Sequence, residues 1–130
     1  MKEEFKNRLK LISPAFFAAL LDILITIYFQ PNEYWNGSLK YHNEANPIGS
    51  FAMSESIYGL FIISAIWLVI ILVIGIFIPY KWISYVCLFI LISHTLGACS
   101  WIMINFGFQY QFILIGINTF LFLLSNKSNS

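Results

Sequence analysis

The chain has 130 residues, of which 59% are hydrophobic and only 10% charged. A soluble domain carries about a quarter charged residues, so this composition excludes an ordinary water-soluble fold and points to the lipid bilayer. A net charge of +1, with no basic patch interleaved with aromatics, excludes nucleic acid as a partner.

Residues 1–10 form a polar, basic lead containing Lys2, Lys6, Arg8 and Lys10. An apolar run from Leu11 to Phe29 follows. It is close to the roughly 20 residues a spanning helix needs at ~1.5 Å rise each. Pro14 stands near its start, where proline is tolerated. The run is too long for a signal-peptide core, and Phe29-Gln30-Pro31-Asn32 is a poor cleavage site, so an uncleaved first transmembrane helix is expected. Asp22 lies near its middle, where an ionised carboxylate costs about 2.5–3.5 kcal/mol even on lenient insertion scales. Ala15, Ala18, Ala19, Asp22 and Thr26 share one helical face, and small residues let other helices approach closely. Leu20, Ile23, Leu24 and Ile27 point in the other directions and suit lipid.

A long polar loop spans Gln30 to Ser56. Loops of this length are usually functional or disordered. Within it Asn46-Pro47 reads as a helix N-cap followed by an N1 proline, so a helix starts there. That helix either runs on into the second span or breaks near Gly49. The second span covers about Ile57–Ile78 and carries Ser64 and Trp67. Pro79-Tyr80-Lys81-Trp82 is a tight turn with interfacial aromatics. The third span covers about Ile83–Ile104 and contains His94. After a turn at Gly107, the fourth covers about 106–124 with Asn118, and Ser125–Ser130 is a polar tail. Cys87 and Cys99 lie roughly 18 Å apart on one helix, too far for a disulfide, and read as packing residues. The expected fold is all-α: one integral membrane domain over residues 1–130, a four-helix transmembrane bundle with spans near 11–29, 57–78, 83–104 and 106–124. Six of the seven basic residues fall on one side of that topology and only Lys40 on the other. The positive-inside rule then puts both termini in the cytoplasm and the long loop outside.

Depth counting from the outer helix ends puts Asp22 and Ser64 roughly 10 Å down, His94 roughly 15 Å and Asn118 roughly 18 Å. These polar groups come from four helices at similar depth, so an outward-opening polar pocket is expected beneath the loop. Asn43-Glu44-Ala45-Asn46-Pro47 would sit just above it. Asp22, Glu44 and His94 are the expected catalytic residues, with Thr26, Asn46 and Asn118 as substrate-binding neighbours. Two carboxylates and an imidazole suit a divalent metal such as zinc. Without metal, the same three make a general acid–base set.

With Leu21-Asp22-x-x-x-Thr26 followed by Glu44-Ala45-Asn46-Pro47, the chain resembles a group of small bacterial and archaeal multi-pass membrane proteins. In that group the first helix bears Asp and Thr, and a Glu-Ala-Asn-Pro stretch opens the second. No activity is assigned to the group, so the resemblance implies which residues matter and not what they do. Three functions stay open on the residues alone. One is an enzyme acting on a lipid-linked or membrane-proximal substrate. Another is a small proton-coupled transporter with Asp22 and His94 as relay; four short helices are few for a carrier, so it would work as a homo-oligomer. The last is an accessory protein bound to a partner membrane protein, its polar residues serving only to hold helices together.

Overall fold

The computed structural model describes residues 2–127, and every regular element among them is helical. In chain order these are α1 (Lys2–Tyr28), α2 (Asn32–Trp35), a 3-10 turn (Leu39–Tyr41), α3 (Pro47–Glu55), α4 (Gly59–Phe77), α5 (Tyr80–Phe106), a second 3-10 turn (Phe108–Tyr110) and α6 (Gln111–Lys127). Among the described residues four helices are long and apolar enough to cross a membrane: α1, α4, α5 and α6. Several expected boundaries move: Tyr80, Lys81 and Trp82 open α5 rather than forming a turn, and α6 starts at Gln111 rather than near 106. Ser125 to Lys127 continue α6 rather than starting a tail, whose last residues, 128–130, lie outside the described ones.

The basic lead is helical from Lys2, so Pro14 lies inside α1 and not near its start. Proline leaves the carbonyl four residues earlier without its N–H partner. Here that carbonyl belongs to Lys10, and the Ser13 hydroxyl donates to it at 2.9 Å. The lead is also anchored by Arg8. Its guanidinium donates to the Ile78 carbonyl at 2.8 Å and lies 5.5 Å from the centre of the Tyr80 ring. The last carbonyls of a helix have no partner within it and favour a cation, so Arg8 caps α4 from another element.

α1 is the central post of the bundle and packs against α4, α5 and α6. Its small face makes this possible: Ala15, Ala18 and Ala19 are buried, together with Ile71 of α4 and Ile83, Cys87, Ile90 and Leu91 of α5. Cys87 and Cys99 are buried free thiols, as packing residues should be. α4 and α5 follow one another in the chain yet do not pack along their lengths; each leans on α1 instead. A gap therefore remains between them.

The segment between α1 and α4 is ordered around buried Tyr34, which packs with Met53 and Leu60. Its hydroxyl lies 3.1 and 3.2 Å from the carbonyls of Ser56 and Ile57. α3 starts where Asn46-Pro47 directs: Asn46 Oδ1 accepts the Ile48 N–H at 3.0 Å. It neither breaks near Gly49 nor runs into α4. It ends at Ser56, which is extended and whose hydroxyl oxygen accepts the Tyr58 N–H. α3 then lies against the start of α4 so closely that a Cβ on Gly59 would collide with the Ala52 carbonyl. Backbone cannot yield as a side-chain tip can. Gly59→Ala is expected to destabilise the protein by about 1–3 kcal/mol, read as a lower thermal midpoint in detergent. Gly116→Ala on α6, where a Cβ meets nothing within 4 Å, should be neutral or gain up to ~1 kcal/mol.

Candidate functional site

The gap between α4 and α5 is a cavity of about 770 Å³ with α1 as its back wall and the α1–α4 connection as its roof. α1 contributes Asp22, Ile23 and Thr26. α4 contributes Ile63, Ser64, Ile66, Trp67 and Ile70, mostly one face at helical spacing. α5 contributes Ser93, His94, Gly97, Ser100, Trp101 and Ile104. The roof carries Asn43, Glu44, Asn46 and Gly49. Thus five of the six expected site residues, Asp22, Thr26, Glu44, Asn46 and His94, line one cavity.

Asn118 does not join them. It is 2% exposed, and its amide donates to Thr95 Oγ1 at 2.8 Å. Thr95 in turn donates to the Leu91 carbonyl. Thr95 is one residue from His94, so it lies about 100° around α5, and the side of α5 facing α6 is not the side lining the cavity. Similar depth put Asn118 with the others; helix rotation separates it.

Three side chains tie three helices together on the cavity floor. The Trp67 indole donates to His94 Nε2 at 2.7 Å, and His94 Nδ1 lies 2.8 Å from Asp22 Oδ2. An indole N–H only donates, so Nε2 must offer its lone pair. The imidazole proton is then on Nδ1 and is donated to the Asp22 carboxylate. His94 and Asp22 side chains are only 17% and 18% exposed, so this pairing satisfies a carboxylate that would otherwise be costly. Asp22 Oδ1 has no hydrogen-bond partner among the described residues.

Each carboxylate of the cavity rests on a glycine. A Cβ on Gly97 would lie 2.7 Å from Asp22 Oδ2, and one on Gly49 would lie 2.9 Å from Glu44 Cγ. Glu44 Oε1 accepts the Asn46 N–H at 2.7 Å. The roof is pinned from below by Gln30 at the end of α1, whose amide makes both available hydrogen bonds to the Asn43 backbone, at 2.8 and 2.9 Å. Burial pushes the Glu44 carboxyl above its ordinary range; the Asn46 N–H opposes this and the Asp22 charge adds to it.

Zinc does not fit this arrangement. Among the described residues no three His, Cys, Asp or Glu side chains gather closely enough to hold a metal ion. Both ring nitrogens of His94 are already engaged.

Trp67, Gly97 and Gln30 had no assigned role on sequence grounds. Trp67 did carry a signal, because it stands at mid-span and not in the interfacial belt where Trp is enriched. Gly97 lies one turn from His94 on the same face, which is where room for a partner is needed.

Two outcomes check this geometry. In ¹⁵N spectra of His-labelled protein, His94 should appear as the Nδ1–H tautomer; an Nε2–H signal would refute the indole donor. The second concerns Glu44. A carboxyl raised above 4.5 on folding binds its proton more tightly in the native state. Native stability should therefore fall as pH rises from about 4.5 through the raised value. Thermal midpoints of Glu44→Gln, which keeps an acceptor for Asn46, should lose that part of the slope. Protein-family models, curated proteins and solved structures offer no match to this chain.

Proposed function

We propose that the chain is a small integral membrane enzyme that takes an amphipathic, lipid-linked or membrane-proximal molecule into the cleft between α4 and α5. The observation that carries this reading is the Asp22–His94 pair on the floor of a cavity whose side walls are largely apolar. Apolar walls between two spanning helices that do not pack on each other suit an acyl or isoprenoid chain. The polar floor suits its head.

The chemistry is general acid–base. Asp22 holds the imidazole with the Nε2 lone pair aimed at Trp67. A substrate hydroxyl replacing the indole at Nε2 gives its proton to His94, and Asp22 stabilises the imidazolium that forms. Lys2, Lys6, Arg8, Lys10, Lys81 and Lys127 on one side against Lys40 on the other support termini in the cytoplasm and a cleft in the outer leaflet.

A structural reading has one observation in its favour: the Trp67–His94–Asp22 chain joins α4, α5 and α1, as helix-to-helix attachment would. Lipid mass spectrometry separates the two. Membranes containing wild type should differ from membranes containing His94→Gln in at least one lipid or lipid-linked species. Loss of a general base slows turnover by about 10²–10⁴. Identical profiles from two folded proteins would sink the enzymatic reading; a His94→Gln protein that fails to fold would favour attachment.

A further inference from the structure

The cavity has an unbalanced charge. Asp22 and Glu44 both line it, and among the described residues no Lys or Arg does. His94 does not compensate while the indole N–H occupies Nε2, because that nitrogen then offers a lone pair and carries no proton. A carboxylate withdrawn from water needs hydrogen bonds or a counter-charge. Asp22 receives one hydrogen bond on Oδ2 and none among the described residues on Oδ1.

The cavity is equally poor at receiving an anion. The nearest helix N-terminus, that of α3, is the usual place for a phosphate or carboxylate. Here it is filled from within: Asn46 Oδ1 takes the Ile48 N–H, and Glu44 Oε1 takes the Asn46 N–H. A phosphate head would meet two carboxylates and, among the described residues, no cation. Two indole rings, Trp67 and Trp101, also line the cavity. Aromatic faces attract cations, more so out of water. The α4 wall, Ile63, Ile66 and Ile70, is apolar and runs along the helix axis.

We propose that the occupant of this cleft is a long-chain amine: an amphiphile with a cationic ammonium head that sits between Asp22 and Glu44, its chain along Ile63, Ile66 and Ile70. This rests on the reading of the cleft as the binding site, and it names the class of molecule the site takes. The ammonium supplies the counter-charge that the protein does not. Its N–H groups donate to Asp22 Oδ1 and Glu44, while His94 keeps its bond to Asp22.

The test compares three probes with one chain and different heads: dodecylamine, dodecanol and dodecyl phosphate. Purified full-length protein in mild detergent is offered an equimolar mixture, and retained probe is counted by native mass spectrometry. The amine should be retained over each of the others by on the order of tenfold or more, since each tenfold is only about 1.4 kcal/mol and a close partly buried ion pair exceeds that. Asp22→Asn should abolish the preference, and Glu44→Gln, which lies outside the packed helices, should reduce it severalfold. Retention of the alcohol or the phosphate equal to that of the amine overturns the amine assignment while leaving the cleft as a binding site. A preference unchanged in Glu44→Gln and in folded Asp22→Asn also overturns it. Retention of none of the three overturns both the assignment and the cleft.

Discussion

A carboxylate in the middle of a membrane helix has to be answered by something. Here the answer is the imidazole of His94, 2.8 Å away on another helix. That contact sets the rotation of α1 against α5, because Asp22 and the small residues Ala15, Ala18 and Ala19 occupy adjacent parts of one face. It also explains Gly97: a carboxylate this close to a helix backbone leaves no room for a Cβ. The indole of Trp67 then completes the imidazole and holds α4 at a distance that side-chain packing alone does not set. The gap between α4 and α5 is the consequence of tying three helices through polar groups when only α1 is packed against both.

The same constraint governs the roof. Glu44 stands over the cavity because three local devices hold it there. Gln30 clamps the Asn43 backbone, the Asn46 N–H takes one Glu44 oxygen, and Gly49 opens a seat for its side chain. Tyr34 fixes the far end of the segment by burying its ring and directing its hydroxyl to the carbonyls at the α3–α4 break. The connection from α1 to α4 is thus held in place by specific hydrogen bonds and a buried ring, and is not a slack linker. Its acidity, with no Lys or Arg on the cavity wall among the described residues, gives the site its sign.

The proposed acid–base chemistry and the proposed ligand choice draw on different features of the same cleft. The Nδ1–H···Asp22 pairing orients a base, as in hydrolytic dyads. In the proposed binding mode the carboxylates set the charge of the head group, and the isoleucine wall of α4 takes the chain. Trp67 belongs to both, because its N–H occupies the very lone pair a substrate hydroxyl would use.

Much of this was legible in the residues. Long apolar runs demand helices in a bilayer, where every backbone group must be satisfied internally, so an all-helical chain with four spanning-length helices follows from composition and run length. Asp22 and His94 were marked by the cost of polar groups at depth. Asn46-Pro47 marked the start of α3 by cap chemistry. Helix extension past Pro14 was not legible, since it depends on the Ser13 hydroxyl and on Arg8 reaching a carbonyl 70 residues away. Nor was the exclusion of Asn118, because depth along a helix is a matter of counting, whereas rotation about its axis is set by the partners it packs against. The sequence by itself determined which residues could not face lipid. Only the tertiary structure decided which of them meet, because that depends on a small-residue face, two glycine seats and one indole acting across elements far apart in the chain.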